Sequence, residues 1–119
     1  MPPIDLSNAL KATDGDLQLL QEVLEAFLDE YPTLLAQLEA ALLAGNNVVV
    51  QRASHTIKGT LRLFGNVPSQ AIAEILEQKG VSGSLENARE SFESLKLSLA
   101  TLRLQLLEAM KNFGLNPAG

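Results

Sequence analysis

The chain reads as an all-α protein: an antiparallel four-helix bundle with a short additional helix at the N-terminus. Three observations lead there. Apolar residues recur at spacings of three and four through most of the length, the period of an amphipathic helix. Leu and Ala fill most of those positions, while aromatic residues make up only 4% of the chain. The breaks between periodic stretches are short and built from Gly, Asn, Ser and Pro, which end helices and restart them. Long amphipathic helices joined by short loops close on one another as antiparallel neighbours. Sustained heptads also permit a coiled-coil dimer, but several separate stripes favour closure within one chain.

A short helix is expected from Asp5 to Ala12. Thr13-Asp14-Gly15-Asp16 then supplies a turn and an N-cap. The next helix should run over about 16–44, with Leu17, Leu20, Leu24, Phe27, Tyr31, Leu34, Leu38 and Leu42 forming one stripe. Pro32 lies inside it and removes one backbone donor; the stripe resumes in register beyond it, which predicts a kink and not an end. Gly45-Asn46-Asn47 is a stop and restart. The third long helix is expected over about 47–64. Val48-Val49-Val50 pulls toward strand, but Val50, Ala53, Ile57, Leu61 and Phe64 keep helical spacing. Gly65-Asn66 breaks it, and Pro68 opens the next helix, over about 68–79, with Gly80 at its end. Ser82-Gly83-Ser84 is read as a turn with Ser84 as N-cap. The last helix should span about 85–112, its seam formed by Phe92, Leu95, Leu99, Leu102, Leu106, Ala109 and Phe113. Gly114 and Pro117 should end it.

At 119 residues the whole length, 1–119, is expected to form a single domain with a core large enough to need no staple. There is no cysteine, which excludes disulfides and thiolate metal sites, and one histidine, which excludes a multi-histidine metal site within the chain. A net charge of −5 argues against nucleic acid as a partner. No apolar run reaches the length of a membrane span, and Met1-Pro2-Pro3-Ile4-Asp5 lacks the features of a secretory signal. A cytoplasmic protein is expected.

The one histidine stands in Ser54-His55-Thr56-Ile57-Lys58-Gly59-Thr60-Leu61-Arg62-Leu63-Phe64-Gly65. On a helix each residue turns about 100°, so Val48, Gln51, Arg52, Lys58, Gly59 and Arg62 lie within roughly 60° of His55. All but Val48 are polar or glycine. The opposite side carries Val50, Ala53, Ile57, Thr60, Leu61 and Phe64, which places His55 at the centre of the solvent face. Between Ala40 and Ala73 there is no Asp or Glu, so Arg52, Lys58 and Arg62 should form a cationic field around the ring, suited to an anion. Gly59 is costly in mid-helix, by roughly 1 kcal/mol against Ala. Either tight helix packing or close approach of another molecule would compensate. Together these residues meet the needs of an exposed imidazole that carries a phosphoryl group.

His-x-x-Lys-Gly followed by a glycine six residues later, in a chain of this size and helix order, resembles the histidine phosphotransfer (HPt) domain of multistep phosphorelays. Phe27-Leu28, Tyr31-Pro32, Leu34-Leu35 and the Gly-Asn-Asn break are similar to the family as well. The resemblance implies that His55 is the phosphorylated residue, with Lys58 and Gly59 shaping its surroundings. It also implies that Glu77, on the next helix within Ile75-Leu76-Glu77, accepts a hydrogen bond from the far ring nitrogen. Gln51, Arg52 and Arg62 would contribute to partner contact or to the field around the phosphate. The implied function is a phosphorelay intermediate: His55 accepts a phosphoryl group from a receiver-domain aspartate or a histidine kinase relay and passes it to another receiver. Such a protein is a carrier and not a kinase, and the chain has no glycine-rich phosphate loop. It would bind no cofactor or metal of its own; the Mg²⁺ would sit on the receiver. The expected partners are a response-regulator receiver domain and a hybrid histidine kinase, met by a monomer. The rival readings are a catalytically silent bundle that binds a receiver and a helical dimerisation module.

Overall fold

In a computed structural model, which describes residues 4–65 and 67–115, the elements follow in the expected order. They are α1 (Ser7–Ala12), α2 (Leu17–Ala44), α3 (Asn47–Leu61) running into a 3-10 turn (Arg62–Phe64), α4 (Pro68–Ser82) and α5 (Ala88–Asn112). The helix starts and stops have local causes. Asp16 caps α2 by accepting from the Leu19 N–H at 3.1 Å, and Asn46 caps α3 by accepting from the Val49 N–H at 3.2 Å. Gly45 ends α2 in the left-handed conformation that glycine adopts without strain. α2 passes through Pro32 without ending.

α2, α3, α4 and α5 pack in a ring, each against the next and α5 back against α2, while α1 lies against α2 and the 3-10 turn. α3 and α4 make the most extensive contact of the molecule. Their register is antiparallel: Gln51 meets Gly80, His55 meets Glu77 and Lys58 meets Glu74, so one number climbs as the other falls. The core is aliphatic, with Leu20, Leu24, Leu38, Ile57, Leu61, Leu76, Leu95, Leu99 and Leu106 fully enclosed. Each such side chain contributes about 1.5–3 kcal/mol of hydrophobic stabilisation. Phe64 places its edge on Phe27, with ring centroids 5.0 Å apart, and so pins the end of the site-bearing segment to α2. Between α4 and α5 the hydroxyls of Ser69 and Ser98 pair at 2.6 Å, satisfying a polar group within the interior.

Several expectations are corrected. Leu17 and Phe113, assigned to apolar seams, are exposed at 43% and 41%; Leu17 is the first residue of α2 and Phe113 the C-cap of α5, where a helix end leaves a side chain open to solvent. Leu34 and Leu42 are only partly buried. α1 begins at Ser7, not Asp5; the Asp5 side chain accepts from the Ser7 N–H ahead of it. α3 tightens to 3-10 geometry after Leu61. α4 continues through Gly80 to Ser82, and Gly83 is the left-handed stop. Ser84 does not cap α5; that helix starts at Ala88, after Asn87 in a left-handed conformation without a side-chain cap. Asn66, Pro117 and the first three residues, which entered the sequence reading, lie outside the described residues. The α5 seam from Phe92 to Ala109 is buried inside the chain, so it is not left over for a coiled-coil partner. Among the described residues no helix is long and apolar enough to cross a membrane.

Candidate functional site

His55 projects from the middle of α3. Val50, Ala53, Ile57 and Leu61 fasten the opposite side of that helix into the core. The ring therefore stays outside, with 62% of its side chain exposed. Gln51, Arg52 and Arg62 are exposed around it, and so is Val48.

Glu77 approaches from α4. Its Oε2 lies 2.7 Å from His55 Nδ1, and its Oε1 lies 2.5 Å from Lys58 Nζ. Only 11% of the Glu77 side chain is exposed. The hydrogen bond from Lys58 holds the Glu77 carboxyl below the usual glutamate range; His55 adds to this, and burial opposes it. Glu77 is thus an ionised acceptor, so Nδ1 must be the ring nitrogen that carries hydrogen and donates. In the neutral form of the ring this leaves the lone pair on Nε2, on the far side.

Lys58 is where the sequence-based picture changes most. Its side chain is only 16% exposed and turns toward α4, where Glu74 Oε2 and Glu77 Oε1 each lie 2.5 Å from Nζ. These bonds, the one to Glu74 first, raise the Lys58 ammonium above the ordinary lysine value. The expected cationic field is therefore weaker than the composition of α3 implies. The acid-free stretch ends at Ala73, and the next residue, Glu74, folds back onto Lys58. Arg52 and Arg62 remain on the solvent face, with no ion pair between them and any described residue.

Two participants escape a reading along the chain. Glu74 is one. Once His55 and Glu77 are opposed, an antiparallel register sets Lys58, three residues after the histidine, against the residue three before the glutamate. Gly80 is the other. A Cβ there would stand 2.6 Å from the backbone nitrogen of Gln51 and 2.8 Å from the carbonyl oxygen of Asn47. Its lack of a side chain lets α3 and α4 approach closely enough for the side-chain bridges to form.

Gly59 has the reverse character. A Cβ on it would meet nothing within 4 Å, so tight packing against the chain itself is not its reason. Gly59→Ala is expected to stabilise the protein by up to about 1 kcal/mol through helix propensity alone. Urea denaturation measures this. The same variant should slow any reaction that brings a second protein onto the His55 face.

A helical bundle that exposes one imidazole, backs it with a buried carboxylate and sets an ammonium beside it has the architecture of a phosphotransfer carrier. The chain belongs to the Hpt domain family, whose model matches residues 22–111. Hpt proteins interact with receiver domains and histidine kinases in phosphorelays. The fold is similar to that of histidine-containing phosphotransfer protein B (HptB) from Pseudomonas aeruginosa PAO1. The TM-score is 0.83, at 22% identity over 93% of this chain and 96% of that one. No curated protein matches the chain at a significant level.

Proposed function

We propose that the protein is a phosphorelay intermediate that takes a phosphoryl group onto His55 Nε2 from a receiver-domain aspartate, or from a histidine kinase relay, and delivers it to another receiver aspartate. The observation that carries this reading is the pairing of His55 Nδ1–H with the buried Glu77 carboxylate at 2.7 Å, on a ring that is otherwise open to solvent. In the forward step the Nε2 lone pair attacks phosphorus as the bond to the aspartyl oxygen breaks, and the aspartate leaves as a carboxylate. The ring keeps its proton on Nδ1 and becomes positive. Glu77 stabilises that charge, as a carboxylate does for other histidines whose second nitrogen it holds. Return of the phosphoryl group to a carboxylate reverses each change. The receiver supplies the Mg²⁺ and the acidic cluster that position the phosphoryl oxygens. The chain serves as a carrier without kinase activity of its own, acting as a cytoplasmic monomer. Burial of the α5 seam within the chain supports the monomer.

The test is transfer from a phosphorylated receiver. Wild type should gain an acid-labile, alkali-stable phosphate, and His55→Gln should gain none. Labelling that survives His55→Gln would overturn the assignment. Absent labelling with receiver binding intact would favour a silent bundle, and a dimeric mass with neither property would favour a dimerisation module.

A further inference from the structure

We propose that Glu74 is a positioning residue that occupies Lys58 while His55 is bare and yields it when His55 is phosphorylated, thereby setting how strongly the domain holds its phosphoryl group. The proposal rests on the phosphocarrier reading above. It starts from an asymmetry between the two carboxylates on Lys58. Glu77 is enclosed, with 11% of its side chain exposed, and is committed to His55 through its other oxygen. Glu74 is 45% exposed, and among the described residues its other oxygen accepts a single bond, from Gln78 Nε2 at 3.3 Å along the same helix. Both carboxylates lie 2.5 Å from Nζ. Displacing Glu77 would strand a buried charge, whereas Glu74 can rotate into water at little cost.

The charges show why a displacement should occur. Around the bare ring, one ammonium faces two carboxylates, an excess of one negative charge. A phosphoryl group on Nε2 adds roughly two more negative charges beside them. Lys58 follows His55 by one helical turn on the same face, so its ammonium can turn toward the phosphoryl oxygens, alongside the exposed Arg52 one turn before. Glu74 competes with the new anion for that ammonium. With the glutamate charge removed, Lys58 serves the phosphoryl group fully. The phosphohistidine then becomes more stable relative to the aspartyl phosphate, by about fivefold for one unit charge acting through partly exposed surroundings.

Four proteins test this: wild type, Glu74→Gln, Lys58→Gln and the double variant. Each is phosphorylated on His55 with phosphoramidate, a donor that needs no protein partner. Each is then mixed with unphosphorylated receiver, and the equilibrium partition of phosphate is read. Glu74→Gln should retain about fivefold more phosphate on histidine than wild type. In the Lys58→Gln background the same substitution should change the partition less than twofold, because the group through which Glu74 acts is gone. An unchanged partition in Glu74→Gln, or an equal shift with and without Lys58, overturns the role of Glu74 and leaves the carrier function intact. Failure of wild type to exchange phosphate with any receiver, despite chemical labelling of His55, overturns the carrier reading and this inference with it.

Discussion

Gly80→Ala should destabilise the protein by about 1–3 kcal/mol, although the substitution favours helix formation. The expected sign follows from what the new methyl would meet. Its three nearest atoms would be the Gln51 nitrogen at 2.6 Å, the Asn47 oxygen at 2.8 Å and the Gln51 Cα at 2.9 Å. All are backbone, so no side chain can swing aside, and α3 and α4 must part. The helix-propensity gain of about 1 kcal/mol is smaller than the cost of overpacking at a backbone contact. The functional consequence should be as large. The His55–Glu77 bridge begins one turn from the Gln51–Gly80 contact, and a hydrogen bond of 2.7 Å tolerates little separation of the helices that carry it. Urea denaturation together with the rate of phosphate acceptance measures both effects. A Gly80→Ala protein as stable as wild type would show that the helices are not in contact there. Gly59→Ala is the internal control for the stability measurement, since the same chemical change in the same helix pair meets open space.

If His55 is the phosphate acceptor proposed above, Glu77→Ala should slow its phosphorylation about 10- to 100-fold, the cost of removing a carboxylate that orients such a histidine. Two losses combine. The Nδ1–H loses its acceptor, so the ring no longer holds one tautomer, and the positive ring formed on phosphorylation loses its counter-charge. Lys58 also loses its buried partner and keeps only the exposed Glu74. Glu77→Gln should fall between, because an amide oxygen still accepts from Nδ1–H but carries no charge. Nitrogen chemical shifts of His55 report the tautomer independently of transfer rates. Wild-type rates in both variants would remove Glu77 from the mechanism.

The same residues make stability depend on pH at both extremes. Glu77 is held below the glutamate range in the folded protein, so its contribution is present above about pH 4.3 and is lost as pH falls through its lowered value. Lys58 is raised, so its contribution is present below about pH 10.4 and is lost as pH rises through its elevated value. Acid unfolding of Glu77→Gln should show a flatter slope than wild type.

How much of this was legible along the chain depended on whether the cause was local. The helix of His55 was readable because Val50, Ala53, Ile57 and Leu61 mark its buried side, and the exposure of the ring followed from that face alone. The caps at Asp16 and Asn46 were readable because a side chain reaching its own backbone three residues on needs no distant partner. The start of α5 is not set locally: the helix begins only where Ala88 becomes buried. The end of α4 differs from the sequence expectation for a related reason. Gly80 looks like a stop in isolation, yet the contact with Gln51 makes it an interior residue.

Sequence alone determined the helices, the aliphatic core and which face shows the histidine, because helical periodicity sorts residues into inside and outside before any partner is chosen. Only the tertiary structure decided how the charges of the site are paired. Lys58 looked like a free cation in a stretch without acids, and it became the bridged partner of Glu74 and Glu77 once α4 folded back on α3. Electrostatic interaction depends on distance in space, and an antiparallel turn brings charges sixteen and more residues apart within 2.5 Å of each other.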